Sequence, residues 1–501
     1  MGVVCALLGA LGGCSHDETD GNASGSTTGG GGGGTPAGCV PSGNASPIGG
    51  DCGVFVSSSL GDDGNDGSQA APMKTLGRAL ELANFGKRRV YACAEQFDEA
   101  VEVLSGLSIF GGLDCTQGWT WVGDTLKTEV TAPEGMIPVT MRLDGGAVNV
   151  VHMEDVHVLA RKPSANGASS IAAVTEGVEL EFTRCVLEAG DGAAGDEGTP
   201  YAMSATGGAV GNPGAEACSG SQLFGGAEQL NDCGTPNDPS DDSIGGSGGT
   251  GQQNSGGNGS SGLPESAMNF GTGEGASVCT AGTVGDDGAE GAPGEGATGI
   301  GSITDTGFTG ASGTDGSRGL PAQGGGGGGG SKGGTGAGKC TVAASAGGAS
   351  GASGGSGGCG GLGGKGGGPG GASIALISLD ARLNFVGVTL KTGRGGTGGM
   401  GGPGQIGGTG GDGGTGGTLP MGATSLHEGC NGGMGGVGGT GGPGGGGLGG
   451  HSIGIAYQGM IPTIESATTT IETGEAGTGG TGADPQHDGA AGVKADTQSM
   501  Q

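Results

Sequence analysis

The chain has 501 residues, 138 of them glycine, and only 3% aromatics, which excludes one large globular core. Its net charge of −31, from 18 Lys and Arg against 49 Asp and Glu, excludes a nucleic-acid footprint and charge-driven binding to anionic membranes. The 32% of hydrophobic residues gather in short islands, mainly 88–190, 373–391 and 452–472, enough for a slender core in which each winding packs only on its neighbours.

Residues 1–13 carry an apolar run, VVCALLGALGG, that ends at Leu11-Gly12-Gly13 before Cys14. Such a run followed by small residues is the pattern of an export signal, and it is too short to cross a bilayer as a permanent helix. With Cys14 after Leu-Gly-Gly it resembles the lipobox of bacterial lipoproteins. The resemblance implies cleavage before Cys14 and a diacylglycerol on its thiol. The mature chain would then be held to a bacterial cell envelope, at the outer membrane or cell surface, through that lipid alone. It departs from the pattern in having no Lys or Arg before the run, so a start further upstream is expected. Residues 14–50 read as a Gly/Ser-rich tether.

Of thirteen cysteines, Cys5 would leave with the signal and Cys14 would be acylated. Export permits disulfides. Sequence neighbours suggest Cys39–Cys52, Cys93–Cys115 and Cys218–Cys233, with Cys279, Cys340, Cys359 and Cys430 forming two more in some order; spacing alone does not fix connectivity. Cys185 is left over as a buried small hydrophobe.

Residues 51–190 open with a strand at 54–57, an acidic Gly/Asn loop, and a helix begun by Thr75 with Leu76, Ala79, Leu80 and Ala83 at helical spacing. Strands follow at 89–92, 99–103 and 106–112. Farther on, Val178, Leu180 and Phe182 alternate with Glu179, Glu181 and Thr183, as strands buried on one side require. The stretch SIALISLDARLNFVGVTLKTGRG at 373–395 repeats residues 170–192: Ile374 falls on Ile171, Leu383 on Leu180, Phe385 on Phe182, Val388 on Cys185 and Leu390 on Leu187. Leu180, Phe182, Cys185 and Leu187 fall in turn on Val151, Met153, Val156 and Val158. A looser third copy at 452–477 carries a two-residue insertion. The Pro72-x-Lys74-Thr75-Leu76 helix start, the Val90-Tyr91 strand and the GLSIFGG strand at 106–112 resemble the opening of pectin-lyase-like right-handed parallel β-helix proteins. That resemblance implies a helix that caps the open end of the winding. The expected fold is all-β, a right-handed parallel β-helix with an N-terminal capping helix.

Glycine-rich arms interrupt the coils and leave from one place: Leu187-Glu-Ala-Gly190, Leu390-Lys-Thr-Gly393 and Ile471-Glu-Thr-Gly474. Within 395–416 glycine recurs every third residue, and again within 432–447. Three residues per turn is the period of a polyproline-II-type helix, whose backbone groups must find partners in neighbouring chains. The pattern resembles PGRS-type domains and other polyglycine-II bundles. The domain map is thus a partly ordered insertion at 191–372 with a GGX arm at 345–371, a coil at 373–394, a two-armed hairpin at 395–451, a last coil at 452–474 and a tail at 475–501.

Chemistry is sparse. The loop Asp62-Asp63-Gly64-Asn65-Asp66-Gly67 offers oxygen ligands for Ca²⁺ but lacks the EF-hand spacing, and these are also the ordinary turn residues. The outward Arg142, His152, Glu154, Asp155, Arg184 and Lys391 form no recognisable carboxylate pair for glycoside cleavage. No catalytic residue, metal ligand or cofactor is assigned. The expectation is a lipid-anchored structural or adhesion protein, with envelope or extracellular polysaccharide as partner. The alternatives are a carbohydrate-active lyase or hydrolase and a calcium-dependent adhesin.

Overall fold

Apolar residues alternating between Gly and Asp turns should give short strands buried on one face. The computed structural model describes residues 36–500 apart from 45, 147–148, 235–238 and 466, and it is mostly β with parallel sheets. The chain passes through three sheets in rotation. The first holds Val54–Val56, Arg89–Cys93, Ser108–Asp114, Val150–Glu154, Glu179–Thr183 and Arg382–Val386, with Thr120–Trp121 antiparallel beside Ser108–Asp114. The second holds Gln96–Asp98, Thr128–Thr131, Val156–Ala160, Val186–Ala189, Val388–Thr392 and Thr469–Glu472. The third holds Val101–Leu104, Val139–Arg142, Ser170–Glu176, Ser373–Leu379, Ser452–Gln458 and Lys494–Ser499.

The echoes in the sequence are the pairing registers. Leu180 lies between Val151 and Leu383, Phe182 between Met153 and Phe385, and Leu187 between Val158 and Leu390. These residues share one buried cluster with Val156, Cys185 and Val388. Cys185 is a free thiol, and burial pushes its pKa up to about 12, so it packs as a hydrophobe. At three successive passages from the first sheet to the second, Asp155 (φ 56°), Arg184 (φ 54°) and Gly387 (φ 65°) take the left-handed conformation that turns the chain sharply.

The helix Leu76–Asn84 buries Leu76, Ala79, Leu80 and Ala83 at the start of the stack. Its first turn is closed twice: the Thr75 hydroxyl accepts from Arg78 N–H, and the Glu99 carboxylate accepts from Leu76 and Gly77 N–H at 2.6 and 2.9 Å. Phe55, Tyr91 and Phe110 stack on the outer side of the first sheet at 5.2 and 5.3 Å between centroids and are buried with Ile48, Cys52 and Trp119. The outer side of the third sheet is covered by the hairpin Ser302–Thr304 and Gly307–Thr309, whose Ile303 packs on Ile171, Val174, Ile374 and Ile453.

The glycine segments form a bundle held by backbone hydrogen bonds. Segments 190–217, 393–418 and 473–482 leave second-sheet strands; 346–372, 429–451 and 487–493 return to third-sheet strands. Contacts repeat every third residue. Gly208, Gly211 and Gly214 donate to the carbonyls of Thr409, Asp412 and Thr415, while Gly411, Gly414 and Gly417 donate to Ser356, Ser353 and Ser350. The insertion expected to be only partly ordered supplies the middle of this lattice. There Gly327, Gly328 and Gly329 donate to Ser260, Ala352 and Thr280, three different segments. A Cβ on each would meet three more: the carbonyl oxygens of Ser247 at 1.9 Å, Cys430 at 2.1 Å and Thr272 at 1.9 Å. Seven consecutive glycines, 324–330, are therefore what a chain with neighbours on every side requires. At the surface one position in three is released. Gly398 and Gly399 donate to Thr478 and Gly368, and the next residue, Met400, is 47% exposed.

The cysteines cross-link these layers. Cys39 bonds to Cys52 and Cys93 to Cys115. The expected Cys218–Cys233 bond does not form: Cys218 bonds to Cys340 and Cys233 to Cys359, leaving Cys279 with Cys430. Of the four cysteines expected to pair among themselves, Cys279 and Cys430 do so, while Cys340 and Cys359 are taken by Cys218 and Cys233. The physical reason is that the bundle lays segments more than a hundred residues apart beside these cysteines, so bridges span separations of 122, 126 and 151 residues.

Candidate functional site

The densest charged cluster sits at the left-handed corners between the first and second sheets. Asp155 and Arg184 occupy two stacked corners, and the preceding strands deliver Glu154, His152 and Glu181 beside them. Arg184 Nε and Nη2 donate to Asp155 Oδ1 and Oδ2 at 2.9 and 2.8 Å, and Nη2 also reaches Glu154 Oε2 at 2.9 Å. Trp121 Nε1 donates to Asp155 Oδ2 at 2.8 Å, and the Arg184 guanidinium lies 5.3 Å from the Trp121 ring centroid. Lys127 Nζ stands 3.5 Å from Asp155 Oδ1. His152 Nε2 is 2.9 Å from Glu154 Oε1, and the Ser42 hydroxyl donates to Glu154 Oε2.

Burial pushes the Glu154 carboxyl up, but His152 and Arg184 outweigh it and hold the group below the usual carboxylate range. Burial acts on His152 in the opposite sense, lowering it, and Glu154 and Glu181 raise it above the ordinary imidazole value. Every carboxylate oxygen of Glu154 and Asp155 already has a donor. The cluster fastens the 39–52 segment and the 114–127 segment to the sheet.

Of the six outward residues singled out in the sequence, the structure brings together His152, Glu154, Asp155 and Arg184. Arg142 lies on the third sheet, paired with Asp305 at 3.0 Å. Lys391 lies on the second sheet, in register between Glu188 and Glu472. It borders a groove of about 440 Å³ at the roots of the glycine segments, lined also by Lys162 and Asp191. Trp121, on the short strand Thr120–Trp121, and Lys127 and Ser42 come from stretches without an apolar repeat and were not singled out.

In the acidic loop Asp63 accepts from Lys74 N–H, Thr75 N–H and the Thr75 hydroxyl, and Asp62 accepts from Gly64 N–H, as turn and cap residues do. Among the described residues no three His, Cys, Asp or Glu side chains converge as a metal site, and no helix is long and apolar enough to cross a membrane. Cys14 lies outside the described residues. No protein-family model, curated protein or solved structure matches this chain.

Proposed function

We propose that the three sheets wind as a right-handed parallel β-helix of the pectin-lyase-like kind and that the glycine segments are polyglycine-II arms akin to PGRS-type domains. The chain then serves as a non-catalytic structural or adhesion protein, held at a bacterial cell envelope by a lipid on Cys14. The rotation of the chain through three sheets supports the winding. The observation that carries the function is the three-residue lattice of backbone hydrogen bonds, which spends the longest part of the chain on an ordered slab with side chains presented outward. The saturated Glu154–Asp155–Arg184 cluster accords with a role other than catalysis. The groove beside Lys391, lined also by Glu188, Asp191 and Glu472, offers a second reading, a carbohydrate-active lyase or hydrolase.

The test is retention of the purified full chain on immobilised envelope and extracellular polysaccharides, with analysis of the eluate. Binding without new chain ends is expected; released oligosaccharides would overturn the structural reading in favour of the enzyme. For the address, Cys14→Ser should move the protein from the membrane to the soluble fraction, and unchanged partitioning would sink it.

A further inference from the structure

The third echo is longer than the second by two residues. Ser373 pairs with Ser452 in the third sheet, yet Leu390 pairs with Ile471 in the second, two positions later than that register predicts. The extra residues fall where the chain should add a strand to the first sheet, and none is added: that sheet ends at Arg382–Val386, while the second continues by Thr469–Glu472 and the third by Ser452–Gln458 and Lys494–Ser499. Residues 459–465 instead stand off and leave a groove of about 500 Å³. One wall is Arg382, Leu383, Asn384, Phe385 and Val386; the other holds Met460, Ile461 and Glu465.

The groove has the features of an unfilled strand position. Arg382 N–H donates to Val178 and the Val386 carbonyl accepts from Arg184, so alternation along the strand turns the N–H and C=O of Leu383 and Phe385 into the groove. Among the described residues, only the Thr468 hydroxyl reaches them, at the Phe385 carbonyl. The side chains of Leu383 and Phe385 are buried at 5% and 7% exposure, while Met460 and Ile461 stand 48% and 77% exposed on the far wall. Arg382 is exposed and has no ion pair with a described residue. Glu465 lies at the other end, where its carbonyl takes the N–H of the same Thr468.

We propose that this groove binds an extended peptide as the seventh parallel strand of the first sheet. The bound peptide has an acidic residue at position i against Arg382 and apolar residues at i+1 and i+3 that continue the Leu180–Leu383 and Phe182–Phe385 columns. A basic residue at its C-terminal end faces Glu465. Main-chain pairing supplies the affinity and the two columns the selectivity. The strand on the other edge, Glu179–Thr183, already meets this description: Glu179 faces Arg382, Leu180 faces Leu383, Phe182 faces Phe385, and Arg184 follows.

The probe is therefore a fluorescein-labelled peptide of residues 178–184, VELEFTR, with blocked termini, titrated into the full chain and followed by anisotropy. Saturable binding of one peptide per chain is expected. N-methylation at its fourth residue, the equivalent of Glu181, whose N–H would meet the Leu383 carbonyl, should weaken binding at least tenfold. N-methylation at the leucine, whose N–H points away, should not. Arg382→Glu should weaken binding about tenfold, with recovery when the first glutamate of the peptide is replaced by lysine; circular dichroism and Tm would establish that the variant folds. Absence of saturation at millimolar peptide would overturn the proposal. So would equal binding of a scrambled sequence, or sedimentation showing that a second copy of the chain closes the groove.

Discussion

In the three-sheet stack side chains fill the interior and backbones pair only along strand edges. In the glycine bundle backbones pair in several directions and side chains are mostly excluded. Around Phe182 the core is made of Met153, Phe385, Leu180 and their neighbours, and a mis-sized residue there can be met by repacking of side chains. Around Gly327 the nearest groups are carbonyl oxygens of fixed segments, with no rotamer to change. The difference teaches that glycine content here is not looseness. It records how many sides of a chain face another backbone: all three in 324–330, two in most of 395–417.

That contrast can be broken by substitution. Gly327→Val puts a side chain 1.9 Å from the Ser247 oxygen and should cost about 4 kcal/mol or more, well into the range reserved for severe overpacking. Hydrogen exchange should then rise across the bundle amides while the strand amides of Glu179–Thr183 keep their protection; loss in both at once would mean that the two regions unfold as one. Phe182→Ala opens a cavity in the stack, with an expected loss of about 3–5 kcal/mol in denaturant melts and the reverse pattern of exchange. Replacing Cys233 and Cys359 together by serine removes a bridge of sequence separation 126 and should lower stability by about 2–4 kcal/mol, read as a fall in Tm with intact strand content.

The smallest effect concerns acid. His451 is fully buried where a returning segment meets the third sheet; its Nδ1 accepts from Val493 N–H and its Nε2 donates to the Ile300 carbonyl, both at 2.8 Å. Burial lowers its pKa below the ordinary imidazole value, outweighing the Ile300 contact. The unfolded chain therefore binds a proton that the folded chain refuses, and stability falls as pH drops through the unfolded value of about 6.5. Tm should decline from pH 8 to pH 5 by less in His451→Gln than in the native chain, and equal declines would remove His451 from the account.

The strand registers were legible because apolar identity recurs at fixed offsets, so Phe182 could be laid on both Met153 and Phe385. The three-residue period of the arms was legible for the same reason. Which arm meets which was not, since glycine carries no side chain to mark a partner, and the lattice of 395–417 looks like that of 432–447. The disulfides followed that blindness: Cys233 was matched to its sequence neighbour Cys218, whereas an arm more than a hundred residues away lies beside it. In the charged cluster the corner residues could be read from strand alternation, but the loop partners Trp121 and Lys127 obey no period that would announce them.

The three-residue step also bears on how such a chain can change in length. An outgoing segment such as 393–418 and its returning partner 429–451 stay in phase when both gain one triplet, which lengthens the slab by roughly 9 Å at about 3.1 Å per residue. Gaining one or two residues instead would rotate every later position by a third of a turn, carrying residues like Met400 and Ile406 from solvent into contact with a carbonyl. Insertions and deletions in this region should thus survive in multiples of three and in matched pairs, a reading frame imposed by the folded chain rather than by the gene.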